Sequence, residues 1–440
     1  AATTGQLDLS APANSVDQID GTVRAEIPEV LVGETNIGRV EIEAKFKQGS
    51  VEIVGNGSLL SGAADIQLSA GDFRGRDLSG RASVNSMRLH ELMRLLGPAR
   101  LSRLYGDVSA TIEIGQGTDA TAPQPDTAPQ ADVNLTLVDL ILNGKSLGAR
   151  LDVKLKTVGP AVVIQSVQGA YAGGRIQASG NWSRGGAAKQ IQLFFTNVDL
   201  NAGLSPWLPA MEGHLDGKAS GMSTLTGDQR LRVNGTVSAR QCTVYGIPTG
   251  TWTSGLRAAA NHDLSRWEVQ LPTVRGQLAS GRIRGDVVLK SSSLRRGTPD
   301  LASRWQLDRI DFGKILGDRG GSLTSYAHGR LTGELTLSGR AIRSTQDLSG
   351  RFSARLGDTQ SAAVPGLVSA DRYLGLISVT NTRFTAGALR GVIGGGTARL
   401  DELWLRSNRA RVWAEGKVLL SSGRIDMDVV IATGNFVFGD

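Results

Sequence analysis

Chemistry needs particular side chains at particular spacings, and this chain offers few of them. Asp426 and Asp428 flank Met427, two carboxylates of the kind that share general acid and base work. Apolar residues alternate with them at Ile425, Met427, Val429 and Ile431, which places both carboxylates on the solvated face of a strand. Gly391-Val-Ile-Gly394-Gly-Gly396 has the glycine density of a phosphate-cradling loop, but no Lys-Ser or Lys-Thr follows, so a structural turn is expected. The four histidines, at 90, 214, 262 and 328, are too far apart for a local metal-ligand set. The single cysteine, Cys242, excludes an internal disulfide framework. No nucleophile elbow, HExxH, P-loop or paired-Cys motif is present. Four Asn-x-Ser/Thr sequons, at Asn56, Asn134, Asn181 and Asn234, are chance matches of the kind that a chain rich in Ser and Thr produces. No catalytic residue, metal or cofactor is therefore expected, and the chain reads as a non-enzyme.

The elements that carry these residues follow from composition. Glycine accounts for 57 of 440 residues and aromatics for only 5%, so turn-formers exceed their usual ~7% while core-filling side chains are scarce. Many short strands with tight reversals are expected. Lys and Arg number 48 against 41 Asp and Glu, a net charge of +7. The basic residues are spread out, Arg295-Arg296 being the densest cluster, and read as a solvated surface. Seven tryptophans (182, 207, 252, 267, 305, 404 and 413) lack any accompanying basic-aromatic RNA motif, so they are assigned to core or groove packing and no nucleic-acid partner is expected. There is no run of ~18 apolar residues, and AATTGQLDLS at the start lacks the regions of a signal peptide. Any anchor or leader is expected to lie outside this sequence.

The dominant period is two. Val40, Ile42, Ala44 and Phe46 alternate with Glu41, Glu43, Lys45 and Lys47, and after Gln48-Gly49-Ser50 the pattern resumes at Val51 and Ile53, which predicts a hairpin with one apolar and one charged face. The same alternation recurs at Val133, Leu135 and Leu137, at Leu151, Val153 and Leu155, at Leu331, Leu335 and Leu337, and from Val412 to Leu420. Such strands belong to antiparallel sheet wet on one side.

A longer period lies over this one. Val167 to Ile176 and Val274 to Ile283 both read Val-x-Gly-x-(large apolar)-Ala-small-Gly-Arg-Ile, and looser copies begin at Gly57 and Gly391. The leading glycines, 57, 169, 276 and 391, are spaced by 112, 107 and 115. A second marker, Met87-Arg88-Leu89, Val198-Asp199-Leu200 and Ile310-Asp311-Phe312, keeps that spacing and opens segments with helical content at 90–96, 201–211 and 313–316. This divides the chain into units of about 110 residues: a partial repeat at 1–85, repeats at 86–197 and 198–309, and a C-terminal region at 310–440. The stretch 115–132, GQGTDATAPQPDTAPQAD, is expected to be an exposed loop within the second.

A sheet with one apolar face must cover it, and one short helix per unit is too little for the ~25 to 30 strands of ordinary length expected here. A closed β-sandwich would pair the faces and a β-solenoid would stack short coils. The third arrangement is the fold expected here: all-β, an elongated, twisted, mostly antiparallel sheet curled into an apolar groove, with a few short helices and a ~110-residue internal repeat. Such a groove exceeds the apolar patch of an ordinary monomer and marks a binding surface for an apolar ligand.

The C-terminal stretch adds a resemblance. Leu348-Ser-Gly-Arg-Phe-Ser-Ala-Arg-Leu356, Val364-Pro-Gly-Leu367, Tyr373-Leu-Gly-Leu-Ile377, Arg399 to Leu405, Arg411 to Val418 and Gly423 to Met427 together resemble the C-terminal region of AsmA-like proteins. The earlier repeats share the texture of AsmA and TamB proteins. The resemblance covers the last ~110 residues by motif and the rest by texture. It implies a periplasmic protein of a diderm bacterium, anchored in the inner membrane through a segment absent from this chain. Its repeating β-groove would carry phospholipid acyl chains between the inner and outer membranes, in company with other envelope proteins. The groove lining is assigned to Val40, Ile42, Phe46, Ile53, Leu135, Leu137, Val153, Leu335, Val418 and Met427. The alternative is a TamB-like scaffold or chaperone for outer-membrane protein assembly.

Overall fold

A computed structural model describes residues 4–10, 20–32, 35–71, 78–96, 103–115, 130–158, 161–183, 189–207, 212–213, 215–227, 230–244, 247–261, 265–291, 298–311, 314, 329–357, 359–360, 383–408, 410–420 and 424–434. The chain forms two compact units, one of Ala1–Val198 with Met222–Leu231, the other of Asp199–Gly221 with Arg232–Asp440. Both are all-β.

The first unit begins with β1 (Thr4–Ser10), β2 (Asp20–Val32), β3 (Thr35–Lys47), β4 (Ser50–Leu59), β5 (Gly62–Ala70) and β6 (Ser79–Arg88). After helix α1 (Leu89–Leu96) come β7 (Leu104–Gly115), β8 (Gln130–Leu142), β9 (Lys145–Val158), β10 (Ala161–Tyr171), β11 (Gly174–Ser183) and β12 (Gln190–Asp199). Each strand pairs antiparallel with the next, so the unit is one meander from β1 to β12. The expected hairpin is β3–β4, with Phe46 opposite Val51 and Ala44 opposite Ile53.

Next in the chain are the short helix α2 (Leu200–Leu204), β13 (Leu215–Gly227) and β14 (Leu231–Val244). The second unit then holds β15 (Ile247–Ala260), β16 (Trp267–Leu278), β17 (Gly281–Ser291), β18 (Pro299–Asp311), β19 (Arg330–Gly339) and β20 (Leu348–Gly357). The two-residue strands β21 (Thr359–Gln360) and β22 (Arg383–Phe384) pair only with each other. The meander closes with β23 (Ala386–Gly394), β24 (Thr397–Arg406), β25 (Ala410–Leu419) and β26 (Ile425–Thr433). From β15 to β26 each long strand is antiparallel to its successor, β20 passing directly to β23. Neither unit closes into a barrel, and among the described residues the only second sheet is the two-stranded β21–β22, whose Phe384 is buried in the second unit's cluster.

Turn chemistry explains the reversals. Gln48-Gly49 and Asn143-Gly144 connect hairpins with positive φ at both central residues (48° and 85°, 51° and 77°), the signature of the turn that matches strand twist. The motif glycines at 57, 169 and 276 lead into Leu60-Ser61, Ala172-Gly173 and Ala279-Ser280, all at positive φ. The looser copy differs by one residue: after Gly391 the turn is Gly395-Gly396, one position later, because β23 continues to Gly394. That turn is a hairpin connection, as expected.

The second marker sits just after a kink. Ser86, Asn197 and Arg309 have φ of 56°, 53° and 52°, and where the ladders are described, register shifts at Val84/Met87 and Leu307/Ile310 mark β-bulges. The residue after each kink turns inward: Met87, Val198 and Ile310 are all buried. Ser109 Oγ accepts the Ser86 N–H at 3.2 Å and Thr332 Oγ1 accepts the Arg309 N–H at 3.1 Å. Helix signals follow: Asp199 accepts the Ala202 N–H at 2.8 Å and Asp311 the Lys314 N–H at 3.3 Å. The expected helix at 90–96 is α1, while that at 201–211 shortens to α2. Residues 208–211, 313 and 315–316, like the loop at 116–129, His214, His262, His328, Arg295-Arg296 and the motifs at 364–367 and 373–377, lie outside the described residues. No helix among the described residues is long and apolar enough to cross a membrane.

Each unit has a buried cluster. In the first, Leu60, Met87, Leu89, Val108, Leu140, Leu142 and Leu147 are buried, with Leu92, Met93 and Leu95 of α1 packed against them. In the second, Ile310, Leu331, Leu356, Phe384, Leu405 and Val412 form the centre.

Candidate functional site

Residues directly opposite each other on paired strands share a face, so the registers assign every strand residue to one side. In the first unit Val40, Ile42 and Phe46 of β3 lie on the same side as Ile53 of β4, which faces Ala44. One cross-strand row runs Val40, Gly57, Ala64, Val84, Ala110, Leu135, Val153, Val167. A second, through Ile42, runs Gly55, Ile66, Ala82, Ile112, Val133, Leu155, Ile164. Leu137 lies beside the first row, between Val108 and Leu151. All seven candidates of this unit therefore share one continuous apolar face.

The second unit repeats the arrangement with its own residues. Leu335 stands between Trp305 and Phe352, and the row continues Gly391, Leu400, Gly416, Met427. Val418 is on the same face of β25, opposite Ala398 and Ile425. The three candidates of this unit share a face as well.

Burial separates these rows from an ordinary core. Val40 is buried, but Ile42, Phe46, Ile53, Leu135, Leu137, Val153, Leu335, Val418 and Met427 are only half-buried. Full burial is concentrated in the two clusters, as where α1 lies against the sheet of the first unit. Many row positions are glycines crossed by a large neighbour. A Cβ on Gly80 would lie 2.9 Å from Leu68 Cδ2, and one on Gly416 2.8 Å from Met427 Cγ. Polar groups on this face are satisfied locally, as where Trp305 Nε1 donates to Ser303 Oγ at 3.2 Å. The surface offers contact area to an apolar chain and almost no directional chemistry.

The opposite face is charged and paired across strands. Arg24 meets Glu43 at 3.2 Å and Lys417 meets Asp426 at 3.4 Å, both between directly opposite residues. Arg150 meets Asp152 at 2.9 Å along one strand. The Arg24 guanidinium holds the Glu43 carboxyl below its usual range, and Arg150 does so for Asp152. Asp426 and Asp428 occupy this face as expected, Asp428 opposite Glu415. With Arg399, Asp401, Glu415 and Lys417 they help line a shallow depression of about 730 Å³. Among the described residues no three His, Cys, Asp or Glu side chains gather as a metal site. Cys242 is buried, and burial pushes its thiol pKa up.

Three tryptophans depart from the expected packing role: Trp207, 44% exposed, and the pair Trp404 and Trp413. The register shift between Leu400 and Leu403 turns Trp404 outward, directly opposite Trp413, which faces Val430 in turn. Trp413 is 44% exposed and Val430 63%. Comparison of the chain with protein-family models, curated proteins and solved structures gave no match.

Proposed function

We propose that the half-buried apolar face holds the acyl chains of phospholipids, and that the protein is a lipid carrier of the bacterial envelope, working in the periplasm between inner and outer membranes. The carrying observation is the unbroken succession of apolar residues and glycines across consecutive strands of the first unit, mostly half-buried with no second sheet over them among the described residues. The glycines support a sheet curled toward this side. A Cβ on Gly285 would lie 2.5 Å from Arg304 O and one on Gly148 3.0 Å from Ala170 C, so only glycine lets the neighbouring strands come this close. Recurrence of the bulge contact at 86/109 and 309/332, both pairs 223 residues apart, supports a repeated unit of about half that length. The C-terminal likeness to AsmA-type proteins points the same way.

On this reading transport is partition. Each buried methylene contributes ~0.8 kcal/mol, while successive strands offer similar apolar surface, so a chain exchanges one position for the next without a deep trap. A charge in the row should block this. Leu335→Asp puts a carboxylate between Trp305 and Phe352, and phospholipid co-purifying with this variant, measured by mass spectrometry, should fall well below wild type. Equal lipid in both would refute the reading.

The second reading is a TamB-like scaffold that offers a strand edge to client proteins. The relevant observation is that β26 pairs, among the described residues, with β25 alone. Site-specific crosslinkers on β26 and in the Leu335 row separate the two, a client attaching at the edge and a lipid on the face.

A further inference from the structure

We propose that Trp404, Trp413 and Val430, on the charged side of the sheet, form a docking surface for the headgroup layer of a phospholipid bilayer. The row they belong to begins at Arg355 and continues Ala388, Trp404, Trp413, Val430. The adjacent row on the same face is Ser353, Arg390, Glu402, with Glu415 and Asp428 in line beyond, and the next is Arg351, Val392, Arg399, Lys417, Asp426, charged rows of the kind that face carries elsewhere. An apolar row with Trp413 44% and Val430 63% exposed therefore needs a partner rather than a packing explanation.

Its chemistry identifies that partner. Arg406 and Arg411 are directly opposite each other, two residues beyond Trp404 and two before Trp413, so two arginines, Arg406 exposed and Arg411 half-buried, border the tryptophans at the hairpin end. Indoles settle where hydrocarbon meets water, and guanidinium matches the geometry of a phosphodiester. A handful of apolar side chains falls short of the ~1,000 Å² that a stable protein interface buries, whereas interfacial anchoring needs only a few amphipathic residues. Glu402, Glu415 and Asp428 lie on the other flank. They orient the contact, because only the arginine flank tolerates phosphates, and the hairpin end leads.

This proposal rests on the acyl-carrier reading for its purpose, since a carrier must meet a bilayer, but its test does not. Full-length wild type should co-sediment with phosphatidylcholine vesicles, and more strongly once phosphatidylglycerol is added. Trp413→Ala should lower the vesicle partition coefficient roughly tenfold, as expected for the loss of a large apolar contact. Val430→Asn, at the most exposed position, should lower it without unfolding the sheet. Leu335→Asp should bind vesicles as wild type does, and Trp413→Ala should keep its co-purified lipid. Wild type left in the supernatant with both vesicle types, or both patch variants binding as wild type, overturns the proposal. So does wild type that ignores vesicles yet self-associates through Trp413, which would identify a protein face. Lipid-free wild type that still sediments with vesicles refutes the carrier reading alone.

Discussion

The Trp305 indole lies across Gly285 on the adjacent strand, so close that a Cβ on that glycine would fall 2.6 Å from Trp305 Cε3. Phe352 covers Gly391 in the same way. The large side chain supplies the apolar area that the glycine lacks, and the glycine supplies the room. This pairing accounts for a face that is smooth and apolar although the chain has few aromatics.

Gly285→Val should therefore displace the indole, break its hydrogen bond to Ser303 and destabilise the protein by about 1–3 kcal/mol through overpacking. Chemical denaturation gives the energy, and the Trp305 indole N–H resonance reports the displacement. A wild-type midpoint with an unmoved resonance would contradict the pairing.

The two bulge contacts should behave as copies. Ser109→Ala and Thr332→Val each remove the hydroxyl that accepts a kinked amide, at Ser86 and Arg309 respectively. Each should cost about 1 kcal/mol. The two effects should add in the double variant, because the sites share no partner. Hydrogen exchange should accelerate at Ser86 in the first variant and at Arg309 in the second, and at neither amide in the other.

Acid should weaken the connection between β19 and β20. The Arg343 and Ser344 backbone N–H groups, at 2.8 and 3.0 Å, hold the Asp347 carboxyl below its ordinary pKa, while Ser344 Oγ caps the Gln346 N–H. A carboxyl whose folded pKa lies below its unfolded value of ~3.9 stabilises the fold fully above that value, and loses this as pH falls through the folded one. Asp347→Ala should cost about 0.5–1 kcal/mol at neutral pH, with the gap to wild type closing below about pH 4. A gap that stays constant with pH would show that charge plays no part.

Alternation made most of the strands legible. Val40 to Phe46 and Val51 to Ile53 fold as the period of two requires, because one residue in two must leave water. The kinks were not legible. Ser86 and Arg309 adopt positive φ without a glycine to announce it, since the strain is imposed by the buried Met87 and Ile310 that follow. The face of Trp404 was hidden for a related reason. Arg399-Leu-Asp-Glu-Leu-Trp-Leu405 breaks the alternation at one residue, and only the register shift after Leu400 shows that the indole falls outside. That the candidate residues of each unit share a face was accessible, because membership of a face needs only parity within each strand. Their half-exposure was not, because it depends on what fails to pack above them.

Apart from β20 with β23, the described ladders in both units link strands that are neighbours in sequence. A strand so placed draws its hydrogen bonds from the hairpins beside it and asks nothing of distant ones. Insertion or loss of a whole hairpin then leaves the remaining ladder intact, and the apolar face lengthens or shortens by one step. Length in this architecture is a freely adjustable quantity, in the way that the span of a bridge follows from the number of its identical segments.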